Sequence, residues 1–193
     1  GNFKKNASKI ETLELFNKEM LIVGFGRIGK SLIKRCLGFD MKINVFDPFV
    51  NDKIIKKLGG NKVENLDKGL KTCDYLSLHI PLTEKTKNLI NYEKIKTMKK
   101  KAIIINTSRG GIINEGDLNK ALENNIIFGA GLDVFGKEPI EENNPLINNK
   151  KVLLSPHSAT FTNECKSRMA IETTKNIIDF FENTLDKSMI VKT

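Results

Sequence analysis

The chain has 193 residues, 39% hydrophobic and 28% charged, with a formal net charge of +9, the length and balance of one ordinary globular domain. No run approaches the ~18 apolar residues that span a bilayer, and the polar opening GNFKKNASKIETLE is unlike a secretory signal, so neither a membrane role nor export is indicated. The lysines are scattered and tryptophan is absent, so nucleic acid is not an expected partner.

Three widely spaced cysteines, Cys36, Cys73 and Cys165, form no C-x-x-C. That pattern offers no zinc site or disulfide framework and points to a reducing, cytoplasmic setting.

In chain order, residues 1–17 read as a polar connector with a short helical pattern (Ile10, Leu13, Leu15, Phe16). The apolar run Met20 to Val23 predicts a strand. It ends in Gly24, which opens a G-x-G-x-x-G with Gly26 and Gly29, and an apolar-periodic helix follows to about Gly38. In a strand–turn–helix of this kind the first glycine makes the turn. The second lets a pyrophosphate approach the backbone, and the third lets the helix pack on the strand. A second strand, Met41 to Phe46, ends in Asp47, whose carboxylate can accept two hydrogen bonds from a ribose diol.

Helical fragments follow at Asp52 to Leu58 and Leu66 to Leu70, then a third strand, Tyr75 to Ile80, closed by Pro81. Thr83 to Leu89 reads as a loop or single turn, and Asn91 caps a helix through about Lys100. Ala102 to Asn106, an unbroken apolar run, predicts a strand buried on both faces. The helix Glu115 to Asn124, strands Ile126 to Val134 and Val152 to Leu154, and a closing helix Asn163 to Asn183 complete the series. Strands alternating with helices make an α/β fold, a Rossmann-type doubly wound parallel sheet of six or seven strands.

Ligands of such sheets sit beyond the carboxyl ends of the strands. Those ends carry Gly24 to Gly26, Asp47, His79 to Pro81, Thr107 to Gly110, Asp133 and Ser155 to His157. Arg109, flanked by Gly110 and Gly111, can grip a carboxylate bidentately. His157 can take a proton from a hydroxyl and return it to a carbonyl. Glu138 can hydrogen-bond the far nitrogen of that ring and stabilise its cation. His79, within a strand, reads as structural or cofactor-lining.

Taken together, MLIVGFGRIG, VFDPF, HIPLTEKTKNLIN, NTSRGGIINEGDL, GAGLDVFGKEP and LSPHSA resemble the D-isomer-specific 2-hydroxyacid dehydrogenases, most closely their phosphoglycerate dehydrogenase-like members. The resemblance implies an NAD-dependent oxidoreductase that moves a hydride between the nicotinamide and C2 of a small-molecule 2-hydroxy or 2-keto acid, D-3-phosphoglycerate being one candidate. It assigns catalysis to Arg109, Glu138 and His157. The cofactor contacts it implies are Gly24, Gly26, Arg27, Ile28, Gly29, Asp47, Ile80, Thr107, Ser108, Arg109, Asp133 and His157, with no metal. Asp47 implies NAD over NADP, since a carboxylate repels a 2′-phosphate.

Family members also carry a substrate-binding domain, mostly N-terminal to this stretch, which is expected to be missing here, and they usually form homodimers. The implied division is a connector at 1–17, the NAD-binding domain at 18–160 and a connecting helix at 161–193. Other readings keep the fold: an NADH-sensing, corepressor-like module, or a reductase of glyoxylate or hydroxypyruvate.

Overall fold

The computed structural model describes residues 12–190. They pack as two units, one ending at His157 and the other starting at Ser158. The strands of the first unit are β1 (Glu19–Val23), β2 (Lys42–Phe46), β3 (Asn61–Lys62), β4 (Tyr75–Leu78), β5 (Ile103–Asn106), β6 (Gly129–Leu132) and β7 (Val152–Leu154). Its helices are α1 (Arg27–Leu37), α2 (Asp52–Lys57), α3 (Leu66–Thr72), α4 (Tyr92–Ile95) and α5 (Glu115–Glu123). The strands form one sheet in the order β3-β2-β1-β4-β5-β6-β7, and every pairing is parallel. This is the doubly wound sheet expected from the alternation of elements. Its order reverses between β1 and β4, which opens a crevice at the carboxyl ends of those two strands.

The strand β1 is central because its side chains are apolar on both faces. Leu21 and Val23 join one core with Leu76, Leu78 and Ile104, while Met20 and Ile22 join a second with Ile33, Ile43 and Val45. The two-residue period sends alternate side chains to opposite layers. On α1 the buried residues are Gly29, Ile33 and Cys36, a spacing that keeps one helical face on the sheet. Each fully buried Leu or Ile contributes about 1.5–3 kcal/mol.

Several elements differ from the sequence reading. The strand β3 is only two residues long and polar, so no apolar run announces it. It exists because Asn61 pairs with Asn44 and Lys62 with Val45. The helix expected over Asn91 to Lys100 stops at Ile95, although Asn91 does cap it by accepting from the Lys94 amide at 3.1 Å. Beyond it the Thr97 hydroxyl donates to the Lys94 carbonyl and the amides of Thr97 and Met98 bond three residues back, tightening the chain into turns. The strand β5 is not buried on both faces: Ile104 and Asn106 are buried, but Ile103 and Ile105 are half-exposed. Ile10 lies outside the described residues, and residues 12–15 are not helical.

The second unit contains α6 (Asn163–Phe181), whose cap, the Thr162 hydroxyl, accepts from the Cys165 amide at 3.2 Å, and a 3-10 turn at Lys187–Met189. None of the residues of α6 is buried. Among the described residues no helix is long and apolar enough to cross a membrane.

Candidate active site

The glycine turn follows β1 and opens α1. Gly24 has φ +91°, and a Cβ there would lie 2.4 Å from the His79 carbonyl oxygen. A Cβ on Gly29 would lie 2.3 Å from the Gly24 carbonyl oxygen, so the helix rests directly on the turn. A Cβ on Gly26 would meet nothing within 4 Å. Glycine at 26 therefore relieves no crowding within the protein, and it leaves the backbone bare on that side. The helices α2 to α5 each begin with an asparagine side chain bonded to their first turn, whereas Gly26 gives α1 no side-chain cap and no acid follows it. The amides at the start of α1 remain available to an anion.

Asp47 stands just past β2. Its Oδ2 accepts from the Phe25 amide at 2.7 Å and its Oδ1 from the Phe49 amide at 2.8 Å. Asp47 thus ties the glycine turn to β2 while each oxygen keeps a second lone pair for a hydroxyl. Bare turn, uncapped helix and carboxylate together fit a dinucleotide. Arg27 and Ile28 are exposed at the start of α1, and Ile80 is half-buried two residues past β4.

The second half of the site lies past β5, β6 and β7, where the ladder continues beyond the strands. The Asp133 amide donates to the Asn106 carbonyl at 3.0 Å and the Ser155 amide to the Leu132 carbonyl at 2.9 Å. This brings Ser155 beside Asp133, whose Oδ1 accepts from the Ser155 hydroxyl at 2.5 Å. Asp133 is 5% exposed, a buried acid held by hydrogen bonding.

The loop after β5 is built around buried Asn106. Its Oδ1 accepts from the Ser108 amide at 3.1 Å and the Ser108 hydroxyl at 2.8 Å, and its Nδ2 donates to the Arg109 carbonyl at 2.9 Å. Thr107 and Arg109 are exposed, and the Arg109 guanidinium donates to the Ser108 carbonyl at 2.6 Å. Gly110 then runs against the next loop so closely that a Cβ would lie 1.8 Å from the Phe135 carbonyl oxygen.

Glu138 and His157, nineteen residues apart in sequence, are paired: His157 Nδ1 lies 2.7 Å from Glu138 Oε2. The other carboxylate oxygen of Glu138 accepts from the Phe135 amide at 3.0 Å. The hydrogen bond to His157, then that to Phe135, holds the Glu138 carboxyl below its ordinary pKa. An ionised carboxylate only accepts, so Nδ1 of His157 carries the proton and Nε2 is left to accept one. His157 has φ +50°, a left-handed conformation in which histidine is enriched relative to most residues. His79 is separate from this pair. Its Nε2 is 2.9 Å from the Ser77 hydroxyl, and burial holds its pKa below the ordinary value.

Residues 1–159 match the family model described as D-isomer specific 2-hydroxyacid dehydrogenase, NAD binding domain. The chain belongs to this family. NAD is accordingly the cofactor of this domain, and the bare turn at Gly26 with Asp47 behind it fits that molecule.

Over 177 residues the chain is 40% identical to the glyoxylate reductase of Korarchaeum cryptofilum, covering 92% of this chain and 53% of that protein. It is also 40% identical over 167 residues to the D-3-phosphoglycerate dehydrogenase of Bacillus subtilis, covering 86% of this chain and 31% of that one. Among solved structures, D-lactate dehydrogenase with NAD+ from Lactobacillus jensenii superposes with a TM-score of 0.85 at 27% identity, over 100% of this chain and 61% of that one. The chain thus spans about half or less of the curated relatives it matches here.

Sequence reasoning in this dehydrogenase domain passed over Asn106, and it named Gly110 and Ser155 only as strand-end positions, with no role. Asn106 had a legible signal, a polar residue closing the apolar run AIIIN. The bond of Ser155 to Asp133 and the Gly110 contact depend on neighbours distant in sequence and had none.

Proposed function

We propose that this domain serves an oxidoreductase that interconverts a D-2-hydroxy acid and its 2-keto acid by hydride transfer between C2 and the nicotinamide. The Glu138–His157 pair at 2.7 Å carries this reading, because it leaves Nε2 as a base at the carboxyl end of β7. When bound, NAD supplies the hydride acceptor and, once reduced, the donor. Gly24, Gly26, Arg27, Ile28 and Gly29 hold its phosphates and Asp47 its ribose, with Ile80, Thr107, Ser108 and Asp133 lining the rest. Arg109 grips the substrate carboxylate and polarises the C2 oxygen. His157 removes the C2 hydroxyl proton in oxidation and returns it in reduction, and Glu138 orients the ring and stabilises the imidazolium.

In the whole enzyme, His157→Ala should slow reduction of a panel of 2-keto acids by ~100-fold or more while NADH binding, followed by fluorescence, holds. The panel includes glyoxylate, hydroxypyruvate and the keto acid derived from D-3-phosphoglycerate. Unchanged turnover would refute the assignment. The domain alone should bind NADH and turn over poorly, since expelling water from the cleft needs a second lobe. Relatives named as reductases and dehydrogenases favour an enzyme over a sensing module.

The division into a connector at 1–17, a dinucleotide domain at 18–160 and a connecting helix at 161–193 belongs to the same proposal. So does a cytoplasmic setting, in keeping with the unpaired, buried Cys36 and Cys73. We also propose a homodimer. Its support is an apolar groove of about 940 Å³ on the β5–β7 half of the sheet, lined by none of the site residues. Ile103, Ile105, Gly131 and Leu153 line it, and Leu153 is 78% exposed. If a second copy covers this face, Leu153→Asp should yield monomers by light scattering; a wild type that is already monomeric rejects it.

A further inference from the structure

Glu138 lies in a long irregular connection, residues 133–151, between β6 and β7. A loop of that length reaches one geometry only if it is pinned. Two consecutive amides near its start are taken by different glutamates. The Phe135 amide donates to Glu138 Oε1 at 3.0 Å, and the Gly136 amide donates to Glu115 Oε1 at 2.6 Å. The second oxygen of Glu115 accepts from Asn144 Nδ2, also at 2.6 Å, on the far limb of the same loop. One side chain from the first turn of α5 therefore bridges both limbs of the connection that carries Glu138.

Glu115 is not needed as a cap. The N-terminus of α5 is already closed by Asn114, whose Oδ1 accepts from the Asp117 amide at 3.0 Å. Asn144 cannot turn its amide over freely, because its Oδ1 holds the Leu146 amide at 3.0 Å. The bridge thus has fixed donor and acceptor roles. Without it, the Gly136 N–H loses its partner beside the one that holds Glu138. The exposed Gly136 N–H then turns to water, and the limb whose Phe135 amide holds Glu138 loses its tie to α5 and Asn144, which lets the carboxylate drift from the imidazole.

We propose that Glu115 is a positioning residue, which holds the Glu138 carboxylate on His157 by tying the Gly136 amide and Asn144 together across the loop. The proposal rests on the assignment of Glu138 and His157 made above. Glu115 touches neither substrate nor cofactor in it. The bond it protects fixes the ring tautomer, with hydrogen on Nδ1 and the acceptor on Nε2.

The chain holds two histidines, so 15N NMR of the imidazoles at alkaline pH reads His157 directly, with His79 as the internal record of folding. In the wild type His157 should carry its hydrogen on Nδ1, and Glu138→Ala should abolish that signature. Glu115→Ala should shift His157 toward the Nε2-protonated form with His79 unmoved. In the whole enzyme it should lower kcat by about tenfold with KM for NADH held, as expected when a catalytic group is displaced by a fraction of an ångström.

Glu115→Gln opposes two donors at residue 144, and Asn144→Asp opposes two carboxylates, so each alone should loosen the ring. Combined, they exchange donor and acceptor and should restore the tautomer and kcat. If Glu115→Ala does not fold, this pair decides the question. Should Glu138→Ala move the tautomer while neither the Glu115 variants nor the pair does, the positioning role is wrong. If Glu138→Ala itself leaves His157 unmoved, the catalytic reading beneath it fails instead.

Discussion

Gly110→Ala tests the juxtaposition on which the site depends, that of the Arg109 loop against the Glu138 loop. The added methyl would sit 1.8 Å from the Phe135 carbonyl oxygen, 2.0 Å from its carbon and 2.6 Å from the Gly136 nitrogen. All three are backbone atoms, so no side chain can swing aside. Restoring an ordinary contact of 3.4 Å from 1.8 Å requires the loops to part by about 1.6 Å. Overpacking of this kind costs about 1–3 kcal/mol of stability. A shift of ~1 Å between reacting groups costs about 100-fold in rate, which corresponds to ~2.7 kcal/mol of barrier. Gly116→Ala is the control, because its Cβ would meet only Asn114 Oδ1 at an ordinary 3.5 Å. The assay is kcat for 2-keto acid reduction in the whole enzyme, with thermal melting of each variant alongside. Gly110→Ala with kcat within twofold of wild type and an unshifted melting temperature would refute the argument.

Gly26→Ala should leave the melting temperature of the cofactor-free protein unchanged, since its Cβ meets nothing within 4 Å, yet weaken NADH binding at least tenfold; unchanged affinity would mean that the phosphates lie elsewhere. Gly29→Ala should lower both, its Cβ falling 2.3 Å from the Gly24 carbonyl oxygen, and calorimetry with NADH titration would separate the two effects. Asp47→Ala should relax the preference for NAD over NADP and also loosen the turn, because the Phe25 amide loses its acceptor; a preserved cofactor ratio counts against the ribose contact.

Stability should fall on acidification for two reasons. Burial holds His79 below its ordinary value of 6.5, so the unfolded chain takes up that proton first and stability drops as pH falls through 6.5. The lowered Glu138 carboxyl adds stability that is complete above its ordinary 4.5 and is lost as pH falls through the lower folded value. His79→Gln should flatten the first part of a melting-temperature profile and leave the second; an identical slope would reject the assignment.

Period and punctuation made the sheet readable before any coordinates. The apolar runs MLIV and AIIIN, the G-x-G-x-x-G and the acid at 47 are local patterns, and local patterns dictate strand, turn and helix. Length was read less well where tertiary pairing ends an element: β6 was expected over nine residues and spans four, and the α4 helix gives way to turns held by Thr97. The polar strand β3 was illegible because only its pairing with β2 makes it a strand. At the site, residue types and strand-end positions flagged Asp47, Arg109, Asp133, Glu138 and His157. The pairing of Glu138 with His157 was expected as well; what stayed hidden were the bond between Asn144 and Glu115, 29 positions apart, and that between Ser155 and Asp133, 22 apart.

The order of residues determined which groups stand at the carboxyl ends of the strands, because each strand and turn is decided by its own few neighbours. Only the folded sheet decided that Gly110 touches Phe135, that Glu138 reaches the ring of His157, and that a glutamate on α5 clasps the loop between them. Those meetings depend on the lateral order and register of strands, and no short stretch of chain carries that information.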